Sequence, residues 1–178
     1  AGRPVPGADV RIIDPDGSLD DILPAGESGE IALYGPTISL GYLDNPELTA
    51  QRFVGGWWRS GDLGRLDAEE FLYVEGRTDN TINTGGIKVQ GEEVELCLLA
   101  HPGVVQAAVI GIPDPKWGKR IEAFVATQAG IKVDELVAHC RSQLAAFKVP
   151  KNITILDKLP VGTTGKLDRV TLRKEYIK

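Results

Sequence analysis

The first part of the chain alternates short apolar runs with turn-forming clusters. Runs of β-branched, aromatic and aliphatic residues are separated by clusters such as Asp14-Pro15-Asp16-Gly17 and Asn45-Pro46. Apolar runs bounded by such turn residues predict β-strands. The predicted strands are Val10–Ile13, Gly29–Tyr34, Trp57–Arg59 and Phe71–Val74, with one short helix over Pro46–Phe53. This part is therefore predicted to form a small antiparallel β-barrel or sandwich.

After Gly76 the pattern changes to a mixture of strands and helices. Gly85-Gly86 separates two short apolar segments, and paired glycines supply the positive φ angles of a tight hairpin turn. Helical spacing and strand-like runs then follow one another. The predicted helices are Glu92–Ala100, one marked by apolar positions from Val133 to Leu144, and Arg169–Tyr176; the predicted strands are Val104–Ile112, Ile121–Thr127 and Ile153–Leu156, before a loop over Leu159–Gly165. We predict an α+β fold with a β-rich part over residues 1–76 and a compact α+β domain over residues 77–178.

Composition and charge narrow the class of protein. The chain is 42% hydrophobic and 25% charged, which is ordinary for a globular protein. Its 20 basic and 25 acidic residues give a net charge of −5, which argues against a nucleic-acid partner. No apolar run approaches the roughly 18 residues that span a bilayer, and the first residues lack a secretory apolar segment. We expect a cytoplasmic protein without a transmembrane segment.

The sulfur-containing residues add two expectations. Cys97 and Cys140 lie among apolar residues, without the spacing or histidine partners of a metal site, so both are predicted to be core thiols. The sequence contains no methionine, even at its first position. We therefore expect it to be a piece of a longer chain.

Two segments have residue types suited to nucleotide chemistry. In Trp58-Arg59-Ser60-Gly61-Asp62 a carboxylate follows a glycine turn, where it is able to accept hydrogen bonds from a ribose diol or to satisfy its own turn backbone. In Gly76-Arg77-Thr78-Asp79 the planar guanidinium of Arg77 suits phosphate or ribose oxygens. A polar residue at this junction also suits a hinge, although the tetrapeptide alone is typical of a surface turn.

A third candidate is the lysine of Pro160-Val161-Gly162-Thr163-Thr164-Gly165-Lys166. A lysine on a glycine- and threonine-rich loop is suited to meet negative charge that develops on a phosphate. For a single lysine, a solvated position at a turn is the ordinary alternative. Thr84-Gly85-Gly86 lacks the spacing of a phosphate-binding loop and is explained by a hairpin.

Taken together and in order, these segments resemble the adenylate-forming superfamily of acyl- and aryl-CoA synthetases, peptide-synthetase adenylation domains and luciferases. The resemblance extends nearly from end to end. The matching segments are Gly29-Glu30-Ile31, Gly41-Tyr42-Leu43-Asp44-Asn45-Pro46-Glu47-Leu48-Thr49, Trp58–Asp62, Gly76–Asp79, Gly91-Glu92-Glu93-Val94-Glu95 and Gly165-Lys166. They are similar to the C-terminal portion of that superfamily.

The resemblance implies roles for four residues and a domain organisation. Asp62 would grip the ribose of ATP, Arg77 would assist at the nucleotide, Asp79 would be the hinge, and Lys166 would bridge the carboxylate and the α-phosphate during adenylation. Residues 1–76 would end a large N-terminal domain, and residues 77–178 would form a mobile lid. The family's phosphate loop and acid-binding pocket would lie upstream, so this piece alone is not expected to adenylate an acid.

In the rotated state of the lid, the resemblance implies a site for coenzyme A. Its residues would be the hairpin glycines Gly85 and Gly86, the aromatic residues Trp117 and Phe147, and the lysines Lys88, Lys148 and Lys151. Two departures from the family pattern concern this chain. Ser60 replaces a common threonine but keeps the hydroxyl, whereas Lys88 replaces a common arginine and loses its bidentate fork.

Three functions follow as alternatives. The first is an ATP- and magnesium-dependent ligase that joins a small carboxylic acid to CoA through an acyl-adenylate, with the upstream N-terminal domain as partner. The second is a peptide-synthetase adenylation domain that loads a carrier protein, and a carrier domain after Lys178 would favour it. The third is a non-catalytic module, which the presence of Asp62, Arg77, Asp79 and Lys166 disfavours. The segment Ile82–Lys88 favours the CoA ligase.

Overall fold

A computed structural model describes residues 2–163 and 165–176 of the chain. Thr164, in the predicted loop over residues 159–165, lies outside the described residues, as do Ala1, Ile177 and Lys178. The chain divides into two compact units, residues 1–79 and residues 80–178. No helix in the described part of the chain has the length and apolar character needed to cross a membrane.

The first unit is built on one five-stranded antiparallel sheet. Its elements are β1 (Asp9–Ile13), β2 (Gly29–Tyr34), α1 (Pro46–Arg52), β3 (Phe53–Val54), β4 (Trp57–Leu66) and β5 (Leu72–Arg77). The sheet order is β1-β2-β4-β3, and β5 also pairs with β4. The Asn45 side chain caps α1 by accepting a hydrogen bond from the amide of Leu48 at 3.0 Å, and Pro46 begins the helix.

Strand β4 differs from its prediction. The sequence predicts a strand that ends at Arg59, because Ser60-Gly61 is typical of a turn. The strand instead continues through Gly61 to Leu66. Gly61 adopts φ +76°, and the pairing register with β2 shifts there, from Ala32 opposite Arg59 to Glu30 opposite Leu63. Gly61 therefore belongs to a β-bulge within a long strand.

The second unit is a mixed sheet between helices. After a 3₁₀ turn (Thr78–Asn80), its elements are β6 (Thr81–Thr84), β7 (Ile87–Gln90), α2 (Gly91–Leu99), β8 (Val104–Asp114), β9 (Gly118–Thr127), α3 (Val133–Gln143), a 3₁₀ turn (Ala146–Lys148), β10 (Asn152–Leu156) and α4 (Arg169–Tyr176). The order is β10-β9-β6-β7, with β8 beside β9, and only the β10–β9 pair is parallel among the described strands. The predicted α+β fold class is confirmed.

Alternating residues of β8 and β9 contribute to two separate apolar cores. One core joins the sheet to α2 and α3 through residues such as Leu98 and Leu136, and the other joins it to α4 through Leu172. Both cores are needed because a strand with two apolar faces must be covered on both. Cys140 is fully buried in the first core, and burial raises the pKa of its thiol to about 12. Cys97 is partly buried beside that core.

Leu98 and Leu96 offer a matched test of the first core. Leu98 is fully buried, whereas Leu96 on the same helix is 69% exposed. We expect Leu98→Ala to lower the free energy of unfolding by about 2–5 kcal/mol, because it leaves a cavity in a packed core. Leu96→Ala should change it by less than about 0.5 kcal/mol. Urea unfolding of both variants measures the difference, and equal losses would contradict this packing of α2.

Candidate active site

The β-bulge of β4 holds Asp62 at the surface of the first unit. The hydroxyl of Ser60, which is buried, donates to the carbonyl of Ile31 at 2.8 Å and accepts from the amide of Asp62 at 3.0 Å. These two hydrogen bonds cross the bulge, where the regular pairing between β2 and β4 is interrupted. The hydroxyl of Ser60 therefore fixes the backbone that presents the Asp62 carboxylate.

A buried carboxylate braces the same bulge. Glu30 on β2 is 2% exposed, and its Oε1 accepts from the amide of Gly61 at 3.1 Å and from Nη1 of Arg52 at 3.2 Å. Its Oε2 accepts from Nε of Arg59 at 2.9 Å. Two guanidinium groups thus compensate one buried charge. Sequence reasoning included Glu30 in a family segment without a role; the available signal was an acidic residue inside the apolar strand Gly29–Tyr34.

The structure brings together the two predicted nucleotide residues and the predicted hinge residue. Arg77 on β5 lies opposite Asp62, and its Nη1 donates to Asp62 Oδ1 at 2.7 Å. Its Nε lies 3.5 Å from Oδ1 of Asp79. Burial lowers the pKa of Arg77, but the hydrogen bond and charge of Asp62, with those of Asp79, outweigh it and leave the pKa raised. The Asp62 side chain is 37% exposed, so the pair presents a hydrogen-bond acceptor and a permanent cation to a ligand.

A second candidate site lies in the other unit at the β6–β7 hairpin. Gly85 and Gly86 adopt φ +60° and +85°, and both positive angles match the two-residue turn that the sequence predicts. The amide of Gly85 donates to the carbonyl of Trp117 at 2.8 Å. A Cβ at Gly85 would lie 2.8 Å from Cε3 of the Trp117 ring, whereas one at Gly86 would meet open space. Gly85 is therefore the glycine that allows the indole to pack on the hairpin.

Beside this contact is a cavity of about 130 Å³. Several predicted CoA-binding residues line it. The lining residues are Thr84, Gly85, Ile87, Trp117, Ala146, Phe147 and Lys151. Trp117 and Phe147 are 41% and 46% exposed. Large aromatic surfaces that remain open to solvent beside a lysine are suited to an aromatic, anionic ligand.

Three other predicted CoA-binding residues are not among the lining residues of this cavity. Gly86 is at the tip of the hairpin, and Lys88 is exposed on β7. The ammonium group of Lys148 lies 2.6 Å and 2.7 Å from the two carboxylate oxygens of Glu93. Its charge is therefore already paired with a carboxylate of α2.

Lys166 is exposed on a closed loop before α4. The amide of Gly162 donates to the carbonyl of Lys166 at 2.8 Å, and Val161 pairs with Leu167 in an antiparallel bridge. Gly165 adopts φ +77°, which glycine tolerates without strain. The loop is thus a small hairpin that holds the backbone of Lys166 while its side chain extends into solvent.

The described part of the chain offers no cluster of metal-binding side chains. Residues 2–163 and 165–176 contain no group of three or more His, Cys, Asp and Glu side chains arranged to hold a metal ion. We assign no residue of the chain as a metal ligand.

The family described as AMP-binding enzyme C-terminal domain matches residues 93–166. Feruloyl-CoA synthase of an Amycolatopsis species is 39% identical over 178 residues, which cover 99% of this chain and 36% of that protein. The structure of ATP-bound MatB from Rhodopseudomonas palustris superposes with a TM-score of 0.90 at 35% identity, over 98% of this chain and 35% of that one.

A third relative is o-succinylbenzoate CoA synthetase (MenE) from Bacillus subtilis, solved with the acyl-adenylate intermediate OSB-AMP. It matches with a TM-score of 0.89 and 35% identity over 97% of this chain and 35% of that one. The chain belongs to the adenylate-forming superfamily and corresponds to its C-terminal portion. It spans about a third of the length of the curated relatives it matches.

Ser60 provides a test of the bulge that holds Asp62. Ser60→Ala leaves the buried carbonyl of Ile31 and the amide of Asp62 without their partner. We expect the free energy of unfolding to fall by about 1–3 kcal/mol. The exposed Ser28, which donates to Glu75 at 2.6 Å, is the control, and Ser28→Ala should cost less than about 0.5 kcal/mol. Denaturant unfolding measures both, and an unchanged Ser60→Ala variant would contradict a bracing role.

Proposed function

We propose that the chain is the C-terminal part of an AMP-forming CoA ligase. In the first half-reaction, a carboxylate oxygen of the acid attacks the α-phosphate of ATP, forms an acyl-adenylate and releases pyrophosphate. In the second, the thiol of CoA attacks the acyl carbon, forms the thioester and releases AMP, and the thiol proton passes to solvent. Relatives named as CoA ligases and synthases over nearly the whole chain support this reaction class.

The aromatic cavity at the hairpin is the observation that favours CoA as the acceptor. A carrier protein delivers its thiol without an adenine nucleotide, whereas free CoA brings a base and several phosphates. Trp117 and Phe147 offer aromatic faces to a base, and Lys151 offers a cation to a phosphate. We therefore place CoA ahead of a carrier protein. Gly85 lines the same cavity, and we assign Gly86 and Lys88 to the same ligand as more distant contacts.

For the first half-reaction, we assign the nucleotide to the residues around β4 and β5. Asp62 accepts hydrogen bonds from the ribose hydroxyls. Arg77, which Asp62 already orients, donates hydrogen bonds to oxygens of the nucleotide. Asp79 lies in the short 3₁₀ turn where the chain passes from the first unit to the second, and its side chain is 67% exposed. Asp79 is the last residue of the first compact unit, and a junction between two units suits the proposed hinge.

Lys166 supplies the mobile cation of the adenylation step. Negative charge builds up on the oxygens between the carboxylate and the α-phosphate as pyrophosphate leaves, and an ammonium group placed there stabilises it. Magnesium, bound by the phosphates of ATP, would neutralise charge on the departing pyrophosphate. We propose that the acid-binding pocket and the phosphate loop belong to an N-terminal domain of the same protein.

Lys166→Ala tests the first half-reaction. In the full-length protein, we expect ATP–pyrophosphate exchange with the preferred acid to fall by about 10²–10³-fold, because an electrostatic partner of the transition state is removed. The control is Lys158→Ala, which changes an exposed lysine eight positions earlier and should leave exchange unaltered. Wild-type exchange in Lys166→Ala would remove Lys166 from the mechanism.

Trp117→Ala tests the acceptor. Loss of base stacking, about 1–3 kcal/mol, should raise the KM for CoA by about 5–150-fold while pyrophosphate exchange stays unchanged. Pantetheine serves as the control thiol, because it lacks the nucleotide and its KM should be insensitive to the substitution. If wild type uses CoA no better than pantetheine, the cavity does not bind the nucleotide and the carrier-protein alternative gains support.

A further inference from the structure

A buried ion pair connects helix α2 to the segment that follows the Lys166 loop. Glu95 is 7% exposed, and its two oxygens each lie 2.7 Å from Nη2 of Arg169, 74 residues away in the sequence. Oε1 of Glu95 also accepts a hydrogen bond from the amide of Val109 on β8 at 2.8 Å. Among the described strands, β8 pairs only with β9, so its other edge is open. The carboxylate of Glu95 accepts a hydrogen bond from a backbone amide on that open edge. The carboxylate is thereby fixed to the sheet as well as to its own helix.

Arg169 begins helix α4 only three positions after Lys166. The Nη2 of its guanidinium donates to the carboxylate of Glu95, whereas its Nε is buried without a hydrogen-bond partner among the described residues. The preceding residue, Asp168, caps α4: its carboxylate accepts from the amide and hydroxyl of Thr171 at 3.0 Å and 2.7 Å. These bonds lower the pKa of Asp168. The start of α4 is therefore capped by Asp168 and anchored through Arg169.

The other stem of the loop is anchored as well. Leu159 is 2% exposed in the second core, and its amide donates to Oε1 of Gln106 on β8 at 3.2 Å. The amide of Asp168 donates to the carbonyl of Pro160 at 2.9 Å and closes the loop at its base. Both stems are thus attached to β8, one through Gln106 and the other through Arg169 and Glu95. Lys166 lies between them on the hairpin.

We infer that Glu95 is a positioning residue for Lys166 and acts through Arg169. Because the carboxylate is held by the edge of β8, it sets where the guanidinium lies, and the guanidinium sets where α4 begins and where the loop is attached. Replacing Glu95 by an uncharged side chain leaves a partly buried cation without its counter-charge. Arg169 then turns toward water, and the base of the hairpin moves with it. The inference rests on the proposed role of Lys166 in adenylation.

An ion pair kept only for stability is the competing explanation, and general energetics disfavour it. Desolvation offsets much of the attraction in a buried pair, and well-packed apolar residues often replace one without loss of stability. An ion pair provides a directional contact, which apolar packing does not. A directional contact is able to fix where a loop lies, and we therefore favour a positioning role for this pair.

The experiment compares Glu95→Gln with Glu122→Gln in the full-length protein. Glu122 on β9 is similarly buried and also pairs with an arginine, Arg120, at 2.6 Å. Among the described residues, no hydrogen bond or ion pair joins either side chain to the Lys166 loop. For Glu95→Gln we expect kcat of adenylation, followed by pyrophosphate exchange, to fall by about 10–100-fold, because small displacements of a catalytic group are costly. The KM for ATP and thioester formation from supplied acyl-adenylate should change by less than about threefold. Glu122→Gln should leave adenylation within the same limit.

A readout without catalysis follows the loop itself. Trypsin cleaves after lysine, and we expect Glu95→Gln to speed cleavage after Lys166 while Glu122→Gln does not. At Arg169, the lysine variant keeps a cation near Glu95, so Arg169→Lys should retain more adenylation than Arg169→Met. If the double variant Glu95→Leu/Arg169→Met matches wild type in both urea unfolding and adenylation, the pair is dispensable and the inference fails.

Lys166→Ala separates this inference from the proposed function. If Lys166→Ala abolishes exchange while Glu95→Gln keeps wild-type kcat and trypsin sensitivity, only the inference is overturned. If Lys166→Ala keeps wild-type exchange, the role proposed for Lys166 fails and the inference falls with it, whereas the ligase assignment stands. Equal losses in adenylation and in thioester formation for Glu95→Gln would indicate general damage to the second unit and would also overturn the inference.

Discussion

A carboxylate buried inside a protein needs a cation and hydrogen-bond donors around it, and this constraint shapes both units of the chain. Glu30 in the first unit accepts hydrogen bonds from Arg52, Arg59 and the amide of Gly61. Glu95 in the second unit accepts hydrogen bonds from Arg169 and the amide of Val109. In each case the partners include a backbone amide of a strand. Each buried charge therefore fixes the position of a strand backbone, next to Asp62 in the first unit and on β8 in the second.

The two candidate sites use this support differently. In the first unit the support is immediate, since Glu30 bonds the residue next to Asp62 and holds a bulge that presents its carboxylate. In the second unit the support is indirect, because Lys166 projects from a hairpin whose base is held by its stems. A proposed nucleotide contact thus lies on a strand, and a proposed catalytic lysine lies on a loop. That division suits a reaction in which the nucleotide stays bound while the lysine approaches and withdraws.

Much of the fold could be predicted from the sequence because its strongest features are local. The apolar runs of β8 and β9 and the paired glycines of the hairpin need no distant partner to be recognised. The continuation of β4 through Gly61 was not predictable in this way, since Ser60-Gly61 is typical of a turn and becomes a bulge only beside β2 and Glu30. The pair formed by Glu95 and Arg169 joins distant segments that share no spacing pattern. The roles of the individual site residues, and the assignment of the two parts to the end of an N-terminal domain and a lid, came from family resemblance and remain predictions.

The most direct test of the account is a product analysis of the full-length protein supplied with ATP, CoA and short, medium, long or aromatic carboxylic acids. We predict that one class of acid yields AMP, pyrophosphate and the CoA thioester in equal amounts for each ATP consumed. Formation of AMP and pyrophosphate without a thioester would contradict CoA as the acceptor. Absence of AMP with every acid would contradict adenylation itself and favour a non-catalytic module.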